Sequence, residues 1–452
     1  MKTTVKESCI VRPAEDTPKQ RLWLSNLDQL FVNFPHVSLL HPYNPDGSHN
    51  FFDARVMKQS LAKTLVAFFP VAGRLAQDET GRFEIDCSGQ GVLFAEAEID
   101  ASMSELGDFS SPQLLRQFFP EIDYSRGVSS LPLLLIQVTR FRCGGVCLGI
   151  GLQHVLCDGE GLSNFMTAWS NQARDLPITS PPLLDRTFLR STSSQPLFQH
   201  PEYQESTTDS TPTAITSTEH TGYESSPAAL PPLFLTPTEI LDIRIQQIKQ
   251  LKGKAISYST YEVMAAHIWR CVTVARRLAD QRKPITLHIS VDGRQRFNPP
   301  LPPGYFGNCV FHAKAVASPA ELASESLEKT AERIRRAIGR IDDGYMRSVI
   351  DYLDRPGDET SKFRIPGNTG SPDLKIISWT RMSFLPKDFG WGDPMFTRSA
   401  NPWEGKCHIL PRSGDDDENV PLAVCLEPDA MERFKGLFTS FTLPPQWRLS
   451  PL

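Results

Sequence analysis

Two stretches of the chain carry a histidine, an aspartate four residues on and a glycine directly after it. One is QHVLCDGEG, with His154, Asp158 and Gly159; the other is LHISVDGRQ, with His288, Asp292 and Gly293. An imidazole with an ordinary pKa near 6.5 takes up a proton from a hydroxyl or amine as that group attacks a carbonyl carbon. The first stretch also sets Cys157 between its titratable residues, which raises a second chemistry, thiolate attack through an acyl-cysteine. A position three residues from His154 is a poor orientation for activating that thiol. An ordinary turn around a structural histidine is the third reading. A short pattern that occurs twice decides nothing by itself, so the choice rests on the elements that carry each copy.

TLHISVDG alternates, with Leu287, Ile289 and Val291 pointing one way and His288, Ser290 and Asp292 the other. In a regular strand, four residues at ~3.3 Å each put His288 and Asp292 about 13 Å apart on one face, out of mutual reach. His288 is therefore expected to be a structural or surface strand histidine. His154 instead closes the strand-like run GGVCLGIGLQH and enters a tight turn with two nearby glycines. An amphipathic helix follows, LSNFMTAWSNQARDL, with Leu162, Phe165, Met166 and Trp169 on one face. Strand-to-turn-to-helix junctions project side chains into crevices where reacting groups are presented. His154 is the better candidate for a catalytic base.

The elements around it read as mixed α/β. FFDARVMKQSLAKTLVAFFP spaces Val56, Leu61, Leu65, Phe68 and Phe69 as a helix that Pro70 stops. GRFEIDCSG and GVLFAEAEI alternate as strands, and PLLLIQVTRF pairs with GGVCLGIGLQH across a CGG turn. From Ser191 to Pro232 the chain is dense in Ser, Thr and Pro. A structureless stretch of that length is unusual inside one compact domain. The chain thus divides into an N-terminal domain over 1–190, a crossover loop over 191–232 and a C-terminal domain over 233–452. The C-terminal part opens on LTPTEILDIRIQQIKQLKG, read as a helix capped by Thr236 or Thr238 and ended by Gly253. STYEVMAAHIWRCVTVARRLA is a second helix, whose Ser259 and Glu262 stand at capping-box spacing. LEKTAERIRRAIGRI is a charged third.

The 452 residues suffice for two or three domains, each with its own core. An apolar fraction of 40% with 22% charged residues is that of a soluble globular protein, and a net charge of −5 gives no general attraction for nucleic acid or anionic membranes. The polar N-terminus, MKTTVKESCIVRPAEDTPKQ, lacks the apolar core of a secretory signal, and runs such as LPLLLIQV are too short to span a bilayer. A cytoplasmic protein is expected. Nine cysteines, an odd number, include no CxxC, and Cys143 and Cys147 merely flank a strand-like GGV. Buried thiols in a reducing compartment are expected, with no metal site.

Near the C-terminal end stands KDFGWGDP, Lys387 to Pro394. With HxxxDG early and DFGWG late, the chain resembles the BAHD acyl-CoA-dependent acyltransferases. The likeness covers nearly the whole chain, in VRPAEDTPKQRLWLSNLD, LVAFFPVAGRL, FEIDCSGQGVLF, FRCGGVCLGIGLQH, LLDRTFLR, STYEVMAAHIWR, VDGRQRF, LPPGYFGN and SWTR. These stretches are most similar to the hydroxycinnamoyltransferase branch, whose best-known members use shikimate or quinate. The resemblance implies two similar-sized mixed-sheet α/β domains, chloramphenicol-acetyltransferase-like, joined by a long crossover loop. The active-site channel runs between them, open to acyl-CoA at one mouth and to the acceptor at the other.

For single residues the resemblance implies the following. His154 is the general base, and transfer is direct within a ternary complex. Asp158 and Gly159 are structural, with Asp158 turned from the substrate and paired with Arg294. Asp388, Phe389, Gly390, Trp391 and Gly392 support the CoA side from a distance. No metal or redox cofactor is needed; an acyl-CoA such as p-coumaroyl-CoA or caffeoyl-CoA is the co-substrate. Arg381, in IISWTRMSF, grips an acceptor carboxylate. The acceptor-side stretch FPHVSLLHPY departs from the shikimate pattern, with Val37, Leu39 and His41 where hydroxyl-bearing residues are expected, which leaves room for a flatter or more apolar acceptor. Ser259 and Thr260, at a helix start, are placed to meet a CoA phosphate, although plain capping serves the same residues. The expected activity is O-acylation of a small carboxylated acceptor by a monomer. N-acylation of an aromatic or aliphatic amine is the near alternative. A non-catalytic binding relative is the distant one, and the intact His154 argues against it.

Overall fold

Alternating apolar and polar residues build two six-stranded sheets in the computed structural model. It describes residues 2–107, 109, 111–193, 195–203, 239–244, 258–354, 360, 363, 370–380, 388–400, 403–410 and 419–440. The first sheet runs in the order Thr3–Val11 (β1), Val92–Ile99 (β6), Leu134–Phe141 (β7), Val146–Leu152 (β8), Val37–Tyr43 (β3) and Arg398–Ser399 (β13). The second runs Val310–Ala317 (β11), Ile285–Asp292 (β10), Leu374–Ser378 (β12), Lys406–Ile409 (β14), Asn419–Cys425 (β15) and Glu239–Arg244 (β9). A small third sheet is made of Arg21–Trp23 (β2), Phe83–Asp86 (β5) and Arg74–Gln77 (β4), in that order. Both large sheets are mixed: β6 and β7 are parallel, as are β10, β12 and β14, and their other pairings are antiparallel.

The helices follow the apolar spacing. They are Ala54–Ala67 (α1), Gly159–Ala173 (α2), Thr260–Ala275 (α3), Leu327–Gly339 (α4), Asp343–Tyr352 (α5) and Pro428–Ser440 (α6). Val146–Leu152 is buried at every position, so β8 is covered on both faces and reads as a continuous apolar run. Its glycines have a steric reason: a Cβ at Gly149 would lie 1.9 Å from the Phe118 carbonyl oxygen. One apolar core is continuous from the first sheet through α2 to the helices behind the second sheet, with Trp169 and Trp269 both about fully buried in it. No helix among the described residues is long and apolar enough to cross a membrane.

Two findings differ from the sequence reading. EILDIR is not helical: it pairs antiparallel with β15, Leu241 opposite Leu422. Its apolar spacing suits either element, and an available sheet edge decides for the strand. The capping positions assigned to that helix, Thr236, Thr238 and Gly253, lie outside the described residues. The second finding is β13, which comes from the C-terminal half yet completes the first sheet, Arg398 opposite Leu40. The halves are therefore interlocked through this strand. Of the Ser/Thr/Pro-rich segment, the described start is docked on α5. The Asp351 carboxylate accepts from the Ser191 hydroxyl at 2.8 Å and from the Thr192 and Ser193 amides at 2.9 and 3.1 Å.

Candidate active site

The chain leaves β8 at Leu152, turns through Gln153 to Asp158 and enters α2 at Gly159. Asp158 is the N-cap of that helix, extended at φ −85° and ψ −171°, and its carboxylate accepts from the Gly161 amide at 3.2 Å. The same carboxylate accepts both Arg294 Nη atoms at 2.8 Å and the Cys309 amide at 2.9 Å. Four donors occupy its four lone-pair directions, so no lone pair is left to orient His154. Burial pushes the Asp158 pKa up, but the Arg294 charge and these hydrogen bonds outweigh it and hold the carboxyl below the ordinary carboxylate range. Arg294 is further fixed by Asp292 at 3.0 Å and by the Gly307 carbonyl at 3.0 Å. The two look-alike stretches therefore meet through Asp158, Asp292 and Arg294 rather than through their histidines.

His154 is half-buried. Its ring stacks on Phe31 with centroids 3.9 Å apart and planes at 7°. A second buried ion pair holds the backbone beneath it. Asp28 and Arg186, both fully buried, lie 3.0 Å apart. Arg186 donates to the Leu156 carbonyl at 2.6 Å and to that of Val155 at 3.4 Å. Asn308 donates to Asp28 at 2.8 Å and to the His154 carbonyl at 2.9 Å. Three successive carbonyls of the loop thus have fixed donors, which restricts where the imidazole can point. The sequence reading assigned no role to Asp28, Arg186 or Asn308. They stand in LSNLD, LLDRTFLR and LPPGYFGN, and buried Asp, Arg and Asn in one place were the available signal.

Loss of solvent lowers the His154 pKa; its own carbonyl, Asp158 and Asn308 offset this only in part, and Lys375 lowers it further. The imidazole is thus neutral, and able to accept a proton, at a lower pH than an unperturbed histidine. The acid limb of kcat/KM is expected below pH 6.5, the ordinary histidine value. A limb at or above that value, followed across a pH series, would show that another group titrates.

Cys157 is buried, and burial together with Asp158 pushes its thiol well above the ordinary range. A protonated, packed thiol is not the nucleophile the sequence left open. His288 is not a surface residue: it is 7% exposed, and its Nε2 lies 3.7 Å from Asp373.

The DFGWG segment folds around its own aspartate. Asp388 accepts from the Gly390 and Gly392 amides at 2.7 and 2.8 Å. Those glycines have φ of +105° and +85°, a region that side chains disfavour. Phe389 meets Trp169 edge-on at 4.9 Å, Trp391 lies 5.0 Å from Phe52, and Arg174 reaches Asp388 at 3.6 Å. Helix α2 therefore ties the two motifs: Asp158 caps its start and the DFGWG loop rests on its last turns. Fifteen residues at 1.5 Å separate those ends by about 22 Å, so the loop supports the site without touching His154.

The remaining candidates are dispersed. Ser259 and Glu262 form the capping box, the Ser259 amide donating to the carboxylate at 2.6 Å, and Arg335 pairs with Glu262 at 2.9 Å. A carboxylate already sits at that helix end, so a phosphate at Ser259 and Thr260 would join a completed cap. On β3, Val37 lies opposite Leu152, two residues before His154. Leu39 and His41 are buried, and His41 Nδ1 is bonded to the Thr397 hydroxyl at 2.7 Å. Packing occupies those two, which leaves Val37 the nearest of the three to His154 along the ladder. Arg381 lies outside the described residues.

The Transferase family model matches residues 1–440. Shikimate O-hydroxycinnamoyltransferase of Nicotiana tabacum is 42% identical over 449 residues, covering 98% of this chain and 100% of that protein. The hydroxycinnamoyl-CoA:5-hydroxyanthranilate N-hydroxycinnamoyltransferase of Avena sativa is 40% identical over 450 residues, covering 97% and 99%. The fold is similar to the crystal structure of vinorine synthase, with a TM-score of 0.72, 21% identity and 98% coverage of both chains. The α/β arrangement, the HxxxDG and DFGWG segments and this full-length match agree: the chain belongs to the BAHD transferase family and is an acyl-CoA-dependent acyltransferase.

Proposed function

We propose that the protein transfers a hydroxycinnamoyl group from its CoA thioester to a hydroxyl of a small carboxylated acceptor, with His154 as general base. His154 takes the hydroxyl proton as the oxygen attacks the thioester carbon. The tetrahedral intermediate collapses, the C–S bond breaks, and the proton returns to the departing coenzyme A sulfur. The observation that carries this reading is the full occupation of Asp158 by Arg294 and two amides. His154 is then left as a single base on a loop braced by two buried ion pairs. An alcohol with a pKa far above neutrality needs such a base in the transition state. The reading is further supported by the hydroxycinnamoyl relatives.

N-acylation by the same steps is the second reading. The relative that acylates a hydroxyanthranilate nitrogen is 40% identical, beside 42% for the one that acylates a shikimate oxygen. The experiment is p-coumaroyl-CoA offered to shikimate, quinate, malate, aryl-lactates, anthranilate and spermidine, with products read by mass spectrometry. Esters of carboxylated alcohols are expected; amides in their place would turn the assignment to the second reading.

In the same proposal Arg381 binds the acceptor and not the donor. A guanidinium–carboxylate contact in a partly dry pocket is worth about 1.5–3 kcal/mol, roughly 10- to 150-fold in binding. Arg381→Ala is expected to raise the acceptor KM by that factor and leave the acyl-CoA KM unchanged, with Arg381→Lys a partial rescue. An unaltered KM for a carboxylated acceptor in Arg381→Ala would end this role.

A further inference from the structure

The imidazole of His154 has a close neighbour that none of the steps above uses. Phe31 lies nearly parallel to it, with ring centroids 3.9 Å apart and planes at 7°. Aromatic pairs ordinarily stand about 4.5–7 Å apart and favour offset or edge-on arrangements. Phe31 makes such an ordinary pair with Phe34, edge-on at 6.0 Å and 73°. Close parallel contact gains little between two electron-rich faces, and becomes attractive once one ring carries positive charge. The arrangement thus suits imidazolium better than neutral imidazole.

Phe31 is held in this place. It is 7% exposed within the main core, and its amide donates to the Asp28 carbonyl at 2.9 Å. Asp28 belongs to the short helical turn Asn26–Gln29, and its carboxylate accepts from the Ser25 amide at 2.8 Å. That carboxylate also engages Arg186 and Asn308, the donors to the carbonyls of the His154 loop. One turn therefore steadies the backbone of the loop through Asp28 and its ring through Phe31.

In a triad, a carboxylate on Nδ1 orients the imidazole and meets its positive charge. Here the lone pairs of Asp158 are taken, and Nδ1 of His154 is buried without a hydrogen-bond partner among the described residues. Asp158, Asn308, Lys375 on β12 and His312 on β11 act on the ring through space. What lies flat against it is Phe31.

We propose that Phe31 is a positioning residue for the acyl transfer, fixing the plane of the His154 ring and stabilising the imidazolium that forms as the base takes the acceptor proton. This role rests on the reading of His154 as general base. The Nε2 lone pair lies in the ring plane, so a fixed plane fixes the line along which the proton is taken. The developing cation meets the negative face of Phe31, on a side from which that ring excludes water. The proton later leaves for the coenzyme A sulfur, and the contact weakens again.

The test uses p-coumaroyl-CoA with whichever acceptor of the panel above gives product. Phe31→Leu keeps apolar bulk without a ring face, and is expected to lower kcat about tenfold, with both KM values little changed. Mono- and trifluorinated phenylalanine at position 31 weaken the negative face stepwise at nearly constant shape, and kcat is expected to fall along that series. In a His154→Ala background Phe31→Leu is expected to cost no further activity, because it acts through the ring. NMR of histidine-labelled protein without substrate reads the His154 pKa. Loss of solvent already lowers it; a weaker ring face is expected to lower it further, whereas looser packing readmits water and raises it. A kcat and a His154 pKa that ignore fluorination overturn the proposal, as do additive losses in the His154→Ala background or a pKa that rises along the series. These outcomes leave the base reading standing. An undiminished kcat in His154→Ala removes the base reading and this role with it. Absence of any product with the wild type sinks the acyl-transfer reading, and the pKa series still decides whether Phe31 stabilises the imidazolium.

Discussion

His154→Ala is expected to lower kcat by about 10²–10⁴-fold, the usual contribution of a positioned general base, with the melting temperature close to that of the wild type. Stability should hold because the ring is only half-buried and contributes chiefly a stack on Phe31. The backbone of its loop is held through carbonyls that alanine retains, by Asn308 and Arg186. Cys157 offers no detour, since its thiol is buried and protonated. His288→Ala is the control: it lies on β10 of the second sheet beside Lys375, and its kcat is expected near the wild-type value. Steady-state kinetics on the two variants decides the matter. Equal losses of kcat, or a greater loss in His288→Ala, would mean that the wrong histidine has been assigned.

Asp158→Ala and Arg294→Ala are each expected to be strongly destabilising. Removing one member of a buried pair strands the other charge, at a cost of about 3–5 kcal/mol. Asp158 and Arg294 are 3% and 8% exposed, and each keeps further partners that would be left unmatched. Asp158 also caps α2, so its loss loosens the junction that aims His154, and kcat should fall with stability. The double variant is expected to lose much less stability than the sum of the single losses, because neither charge is then left alone. Denaturant unfolding of the four proteins measures this. Strict additivity would show that the two residues do not act as a pair.

The loop that presents His154 was legible in the sequence because its signals are local. The alternation of TLHISVD, the helical spacing after Asp158 and the capping box of Ser259 and Glu262 each lie within a few residues. All three stand in the structure as read. EILDIR shows where local information ends. Ile240, Leu241 and Ile243 suit a helix or a strand, and pairing with β15 settled it. The partners that hold His154 were out of reach for the same reason. Asp158 and Arg294 are 136 residues apart, and Asn308 stands 280 residues from Asp28. Periodicity says which face of an element is apolar; it does not say which charges from distant elements will share a dry site. The second sheet makes the point most directly. His312, Lys375 and Lys406 are unremarkable along the chain, and only the register of β10, β11, β12 and β14 turns them into neighbours on one buried face. The sequence by itself determined most of the elements and singled out His154 as the candidate base. Tertiary structure decided the electrostatics around it, because charge acts through space and burial, and both are set by long-range packing.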